Sequence, residues 1–434
     1  MKNTVLVLLT ILLLSFQTPA QQISADSIDV RKAVRLTLEK HPAVVQASKQ
    51  IDVAQARIMQ QNSSLYPEVE ADASYNRIGP VATFDLPGGL SAKLYPENNY
   101  DAHLSLKHTL YDFGKRNAAS ELAGTYETMA RDNVALVKSN LAYQTIQVFY
   151  TILFLEQSMT VKDEQIRNLN SHLEFTKAKV ASGSATDFDV LTTQVRVSAA
   201  QNQKIDLANE IQKQEILLRN LMGLPVNTPL NLKGNFNFSP VTLNSDSLLN
   251  VAIKQRNEIR LSHDAEISAD KQKRSAQLSD MPSVNLNMTY GLKNGYIPNL
   301  DVLRGNWVAG LLFRYPIYNG DKTRYQVEEA EANYQSTLAH SSDVELSIRS
   351  EVNRAASDVI SAQNQLETVR IQVERAAAAV QRAELQYRDG VITNLDLLDA
   401  QTGLTEAKLS ELQIVFRNII NRYALQKAAG DIVW

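Results

Sequence analysis

The chain has 434 residues, of which 44% are hydrophobic and 21% are charged, and its formal net charge is −3 at pH 7. This balance provides no basic surface for nucleic acid, and the absence of cysteine excludes disulfides and thiolate metal sites. The sequence also lacks a phosphate-binding glycine loop, an HExxH zinc motif and a GxSxG motif, so we expect no enzyme activity, no cofactor and no metal site.

Residues 1–20 have the composition of an export signal. A positive charge at Lys2 precedes an apolar run from Val5 to Phe16, and small residues lead to a cleavage position after Ala20. The apolar run is shorter than the roughly 20 residues of a membrane-spanning helix, and no later segment approaches that length. We therefore predict a signal peptide at 1–20 and a mature protein without a transmembrane helix. An uncleaved N-terminal anchor is the alternative.

The mature chain is a tandem repeat. The segments Gly183–Gln194 and Gly390–Gln401 share Gly, Thr, Asp, Leu and Gln at a constant offset of 207 residues. Near the start of each half the offset is 215, which implies a longer loop in the first half. We predict a first structural repeat at 21–227, a linker at 228–246 and a second structural repeat at 247–434.

Each repeat contains the same predicted elements in the same order. The first repeat has an opening helix at about 28–64, strands at 66–78 and 99–112, a long helix at 115–182, a tip turn at 183–187 and a helix at 187–222. The second repeat has an opening helix at 247–279, strands at 283–292 and 306–318, a long helix at 321–389, a tip turn at 390–394 and a helix at 394–429. At 1.5 Å per residue each long helix spans about 100 Å, and the two shorter helices of a repeat together span about the same length. We therefore expect the short helices to lie end to end beside the long one.

The long helices carry a heptad pattern in the half that leads to the tip turn. Apolar residues recur every seven positions from Ile152 to Val180 in the first repeat and from Val359 to Tyr387 in the second. No proline interrupts either helix, and small alanines recur three positions after the apolar residues of the second repeat. The pattern predicts coiled-coil packing against neighbouring helices.

The four predicted strands alternate apolar and polar residues. In the first strand Val69, Ala71 and Tyr75 alternate with charged and polar residues, whereas the fourth strand is less regular because Val308 and Leu312 lie on the face that should be polar. Alternation over about ten residues with aromatic residues near the ends is typical of a membrane-spanning barrel. Taken singly, each strand also fits an ordinary half-buried antiparallel sheet.

Four strands cannot close a barrel, and a bilayer tolerates no open sheet edge. Several copies of the chain would therefore have to share one barrel. Two, three or four copies would give even strand numbers that occur in outer membranes, and the strand count does not choose among them.

The export signal, the tandem repeat, the two strand pairs, the long helices and the paired Gly-x-x-Thr-x-x-Asp turns resemble the TolC-like outer-membrane efflux proteins. The resemblance covers the chain from Ile28 to its end, and its most specific part is the Gly390–Gln401 turn with Tyr387 three residues before it. The chain departs from some members at Ile392, where they have a basic residue, and in lacking a lipidated cysteine.

This resemblance implies a mainly α protomer with a β-barrel part. Three copies would form a 12-stranded barrel in the outer membrane of a Gram-negative bacterium and an α-helical barrel with a large periplasmic portion. The implied partners are outer-membrane lipid, a periplasmic adaptor (membrane fusion) protein and an inner-membrane transporter.

The resemblance also implies two groups of site residues at the tip. The adaptor would dock on the two turns, which comprise Gly183, Ser184, Ala185, Thr186, Gly390, Val391, Ile392 and Thr393. The gate or pore constriction would comprise Asp396, Asp399, Tyr387 and Asp189. Judged from their positions alone, Asp189 and Asp396 also fit the acidic position of a capping box. Asp399 lies beyond the first helical turn, so its alternative is a solvated surface carboxylate.

We therefore predict an outer-membrane exit channel of a tripartite efflux or secretion system. A soluble periplasmic adaptor or coiled-coil scaffold would keep the long helices but would not need four strands with apolar faces. An exported enzyme would need a convergent set of titratable groups, and the sequence offers only scattered ones. Polar residues of a wide pore are generic, so the sequence predicts no particular cargo.

Overall fold

The computed structural model describes residues 27–87, 90–238, 240 and 245–430, so the predicted signal peptide lies outside the described residues. Its helices are α1 (Val30–Lys40), α2 (Pro42–Ser63), α3 (Lys115–Ala181), α4 (Asp187–Leu221), α5 (Ser245–Gln255), α6 (Asn257–Gln277), α7 (Lys322–Arg388) and α8 (Asn394–Ala429). Its strands are β1 (Glu68–Arg77), β2 (Thr83–Leu86), β3 (Leu90–Lys93), β4 (Asn98–Tyr111), β5 (Ser283–Lys293) and β6 (Arg304–Arg314). The predicted fold class, mainly helical with a four-stranded antiparallel sheet, is confirmed.

Each predicted opening helix is in fact two helices, so the single helices at 28–64 and 247–279 were wrong in this respect. α1 ends before Pro42, because proline restricts the preceding His41 to an extended conformation, with φ −67° and ψ 128°. The His41 ring then accepts a hydrogen bond from the Ala43 N–H and caps α2. Arg256 adopts nearly the same conformation between α5 and α6, with φ −62° and ψ 132°, although no proline follows it.

Arg256 is held in this conformation by tertiary contacts. Its buried guanidinium donates to the Glu258 carboxylate at 2.9 Å and to the Ala428 carbonyl at 3.1 Å, and it forms an ion pair with Glu351 at 2.9 Å. Burial alone would raise the pKa of Glu258, but the hydrogen bond and charge of Arg256 outweigh burial and hold that pKa below its usual value. The group thus ties the end of α8 to the α5–α6 break and to α7.

The short helices of each repeat meet end to end beside the long helix. Gly223 follows α4 and Gly430 follows α8, and a Cβ on either residue would lie 3.1–3.2 Å from atoms of Lys40 or Arg256, next to the breaks between the opening helices. The glycines therefore allow each shorter tip helix to abut the break in its own repeat. Each long helix has 67 residues and spans about 100 Å.

The described helices form one layer with two free edges. In the half nearer the sheet the order of neighbours is α2, α3, α6, α7, and in the half nearer the tip it is α4, α3, α8, α7. α7 is therefore one edge along its whole length, and α2 with α4 forms the other. The heptad positions of α3 and α7 are buried or half-buried between these helices. The main apolar cluster surrounds Phe149 and Ile152, at mid-length.

The main sheet has the strand order β1-β4-β5-β6, so β1 and β6 are its edges. Strand β6 ends at Arg314 rather than at the predicted residue 318, because Pro316 has no N–H to donate to a ladder. The predicted long loop between β1 and β4 contains the β2–β3 hairpin, which pairs Thr83 with Lys93 and Leu86 with Leu90. None of the helices within the described ranges has an apolar segment long enough to cross a bilayer.

Candidate functional site

The two tip turns have the same backbone conformation. Gly183 and Gly390 have φ values of 75° and 74°, in the left-handed region that favours glycine. In both turns the N–H after the glycine donates to a carbonyl five residues earlier, from Ser184 to Lys179 and from Val391 to Gln386, both at 2.8 Å. Apart from the glycine and its chain neighbours, no atom of the described residues lies within 4 Å of a Cβ added to either glycine, so backbone conformation rather than space requires glycine there.

Both predicted capping boxes form. The Thr186 N–H donates to the Asp189 carboxylate at 3.0 Å and the Thr393 N–H to the Asp396 carboxylate at 2.9 Å, while each aspartate N–H donates to the threonine hydroxyl. Hydrogen bonds from the side chain and backbone of Thr393 lower the pKa of Asp396. Asp396 is therefore ionised at neutral pH while it caps α8.

Asp399 lies one turn after Asp396 on α8, and both side chains are exposed. Asp399 is not an isolated surface carboxylate, because the Arg196 guanidinium of α4 donates to it at 3.3 Å. This ion pair joins the two repeats near the tip. It also partly neutralises the carboxylate that the family resemblance implies for the gate.

Tyr387 is 5% exposed and packs with Ala383 and Leu397. The Lys179 ammonium of α3 donates to the Tyr387 carbonyl and lies 4.4 Å from the centre of its ring. The Tyr387 hydroxyl is buried without a hydrogen-bond partner in the described part of the chain, so the structure does not join it to Asp189. Within one protomer, Tyr387 is a buried contact between α3 and α7.

A buried histidine at the tip was not predicted as a site residue. His172 of α3 is 6% exposed, and its Nε2 lies 2.6 Å from Oδ1 of Asn394, which is 4% exposed at the start of α8. The sequence gives little signal for this pair, because 222 residues separate its members, and Asn394 occupies an unspecified position of the Gly-x-x-Thr-x-x-Asp turn. Among the residues that the structure describes, no three His, Asp or Glu side chains are placed to hold a metal ion together.

The other end of the molecule presents an exposed apolar sheet face. Tyr75 lies beside Tyr100, with ring centres 5.1 Å apart, and Tyr290 pairs with Trp307. Near the helices, Tyr111 and Phe313 both pair with Val284 on the same face. Aromatic residues thus border an apolar band on both sides, as in membrane-spanning barrels.

The opposite sheet face carries charges of both signs. The Lys107 ammonium contacts the Glu70 carboxylate at 2.7 Å, and Lys293 lies 3.6 Å from Asp101 on the neighbouring strand. Val308 and Leu312 also lie on this face, because they pair across from Thr289 and Asn285. A face with balanced, cross-strand ion pairs is suited to water rather than to lipid.

Comparison with known proteins identifies the family of the chain. A family model described as outer membrane efflux protein matches residues 33–224 and 248–431. The pyoverdine export outer membrane protein OpmQ of Pseudomonas putida is 24% identical over 88% of this chain and 82% of its own length. The outer membrane protein TolC of Escherichia coli is 23% identical over 100% of this chain and 87% of its own. The crystal structure of the Campylobacter jejuni CmeC outer membrane channel shares the fold, with a TM-score of 0.81 at 16% identity over 93% of this chain and 85% of that one.

Proposed function

Because the chain belongs to the outer membrane efflux protein family, it is an outer-membrane exit channel with a large periplasmic helical part, and we propose that it works as a trimer between a periplasmic adaptor and an inner-membrane transporter. The family is one of transport channels and not a class of enzymes. A soluble scaffold, the second function considered from the sequence, leaves the exposed apolar sheet face unexplained.

The observation that carries assembly into a ring is the alignment of free edges, and the family resemblance supplies the number of three copies. One edge of the protomer runs through β6 and α7, and the other runs through β1, α2 and α4. The sheet edges have unpaired backbone groups, which a bilayer does not tolerate. Packing the first edge of one copy against the second edge of the next would satisfy both edges, and repeating this contact around an axis closes a ring.

The free helix edges support the same arrangement, because both carry exposed apolar side chains. On α7 these are Leu346, Ile360, Ile371 and Leu385, and on α4 they are Phe188, Leu191, Val195 and Ile205. Exposed apolar residues that repeat along a helix mark a contact with another helix. Three copies would supply the twelve strands that the family resemblance implies.

Native mass spectrometry of the mature protein in detergent tests this assembly. We expect the mass of three chains, because a ring closes only when all edges are paired and the family resemblance implies twelve strands, four from each chain. Chemical cross-linking should give a ladder that ends at three. A ladder that ends at two, or a protein recovered from the soluble periplasm without detergent, would contradict the proposal.

Docking of the adaptor is proposed at the two tip turns. Ser184 and Val391 are exposed at the apex of these turns, and their small polar and aliphatic side chains leave the turns accessible. Because the turns lie at the end farthest from the sheet, they would be the part of the protomer farthest from the outer membrane.

We expect the double variant Ser184→Arg, Val391→Arg to lose co-purification of the adaptor and to lose export, because bulky charged residues in both turns would obstruct the contact. Asn333→Arg, at an exposed position of α7 near the sheet, is the matched control and should leave both unchanged. Measurement of trimer mass checks that the double variant still assembles. Normal export with adaptor still bound would place docking elsewhere.

A further inference from the structure

A buried polar contact joins the α3–α4 tip of the protomer to the α7–α8 tip. Asn394 Nδ2 lies 3.2 Å from the Asp189 carbonyl and 3.3 Å from the hydroxyls of Thr192 and Thr193 on α4. Since the amide nitrogen faces these acceptors, the amide oxygen faces His172. The His172 ring must therefore carry its hydrogen on Nε2 and donate it to Asn394 at 2.6 Å.

The surroundings of His172 are crowded, and the residue is 6% exposed. Its ring centre lies 5.2 Å from that of Tyr387, edge to face, and the Thr176 hydroxyl donates to the His172 carbonyl at 3.0 Å. Three charged groups act on the ring, namely Lys179 on its own helix, Asp189 on α4 and Glu384 on α7. Asn394 joins His172 to α4, so helices of both repeats share the contact.

The charge balance around the ring disfavours a second proton. Burial is the main cause that lowers the pKa of His172, and the nearby Lys179 ammonium acts in the same direction. The hydrogen bond to Asn394 and the carboxylates of Glu384 and Asp189 act in the opposite direction, but they do not outweigh burial. The ring is therefore neutral in this arrangement at neutral pH.

We propose that His172 is a proton-operated latch, whose neutral ring holds the two tips of a protomer together and whose protonation separates them. Opening of the channel by this separation rests on the proposed function. The separation of the tips by acid does not depend on that function. A hydrated histidine takes up its proton near pH 6.5, whereas the buried ring resists it. Below about pH 6.5 the separated tips therefore bind more protons than the joined tips, and acid favours separation.

The distance between the two tips measures the latch directly. Because the chain has no cysteine, Ser184→Cys and Val391→Cys can carry two spin labels without other changes. Labelled chains diluted into unlabelled wild-type trimers report the distance within one protomer by pulsed electron spin resonance. We expect the distance distribution to shift outwards between pH 7.5 and pH 5.5, with the ratio of separated to joined tips changing by at most about tenfold per pH unit for one proton.

His172→Gln keeps an uncharged side-chain donor, so its tips should stay joined at both pH values. His340→Gln is the matched control, since His340 is an exposed histidine on α7, and it should respond to acid as the wild type does. Asn394→Asp gives the protonated ring a carboxylate partner and should therefore also suppress the acid response. This variant keeps the proposal testable if His172→Gln fails to fold.

An acid response of His172→Gln equal to that of the wild type, or no acid response in the wild type, would overturn the latch. Planar-bilayer conductance tests the gate independently of the latch. If acid separates the tips but does not raise conductance, the latch stands and the tip is not the gate. If acid leaves the distance unchanged while charge variants of the gate alter conductance, the gate stands and the latch is wrong.

Discussion

Met288→Arg should abolish assembly in the outer membrane, whereas Asn287→Arg, one residue earlier, should assemble normally. Both positions lie at the middle of β5 and both side chains are exposed in the protomer. Met288 pairs with Leu106 and Ala309, so it belongs to the apolar face, while Asn287 pairs with Lys107 and Gly310 on the opposite face. The two variants thus place the same charge at the same depth on opposite sides of the sheet.

The size of the difference follows from what each face contacts. An arginine on the lipid face near the bilayer midplane costs about 2–4 kcal/mol per chain, and a trimer would carry that cost three times. An arginine on the water-facing side avoids it, and Gly310 opposite Asn287 leaves space for the longer side chain. Quantitative detection of trimers in outer-membrane fractions checks the prediction. Equal yields of the two variants would show that the apolar face does not contact lipid.

The features that the sequence predicts well are those decided by local patterns. The capping boxes of Thr186 and Thr393 need only a threonine and an aspartate three residues apart, and both form. The end of α1 also has a local cause in Pro42, although the predicted helix at 28–64 ran through it. The alternation of β1, β5 and β6 likewise specifies which residues share a face, because the side-chain period of a strand is two, whereas in β4 a register shift between Thr109 and Tyr111 interrupts the alternation.

The features that the sequence does not predict depend on packing between distant segments. The helix break at Arg256 has no proline to mark it, and it requires Glu351 and the Ala428 carbonyl, which the fold brings from α7 and α8. The contact of His172 with Asn394 has the same origin, because it forms only when the two repeats pack side by side. The partner of Asp399 could not be predicted either, since Arg196 lies 203 residues away.

Neutralising the gate carboxylates should weaken block of the channel by divalent cations at least about tenfold and raise its conductance in planar bilayers. Three copies of Asp396 and Asp399 would place six carboxylates around the closing end, where a ring of acidic side chains attracts cations and repels anions. Even in bulk water, one carboxylate about 4 Å from a divalent cation contributes about 2 kcal/mol of attraction. The loss of two such groups per chain therefore exceeds a tenfold change in affinity.

The choice of substitution follows from the second role of Asp396. Alanine would remove the cap of α8 together with the charge, and the two effects could not be separated. Asparagine keeps an oxygen that accepts from the Thr393 N–H, so Asp396→Asn with Asp399→Asn removes charge while the helix start is retained. Asp187→Asn is the matched control, since Asp187 is an exposed acid in the first turn of α4 outside the proposed gate.

A variant of Arg196 should change cation block at the same gate in the opposite direction. Its guanidinium lies 3.3 Å from the Asp399 carboxylate and partly neutralises it, so Arg196→Gln should strengthen cation block while the double asparagine variant weakens it. Conductance and block are measured at pH 7.5, where Asp396 is ionised because its pKa is lowered. Changes of opposite sign in the two variants, with none in Asp187→Asn, would identify electrostatic attraction as the cause. If the double variant retained wild-type conductance and block, these aspartates would be helix caps and surface charges rather than a gate, and the channel function would stand without them.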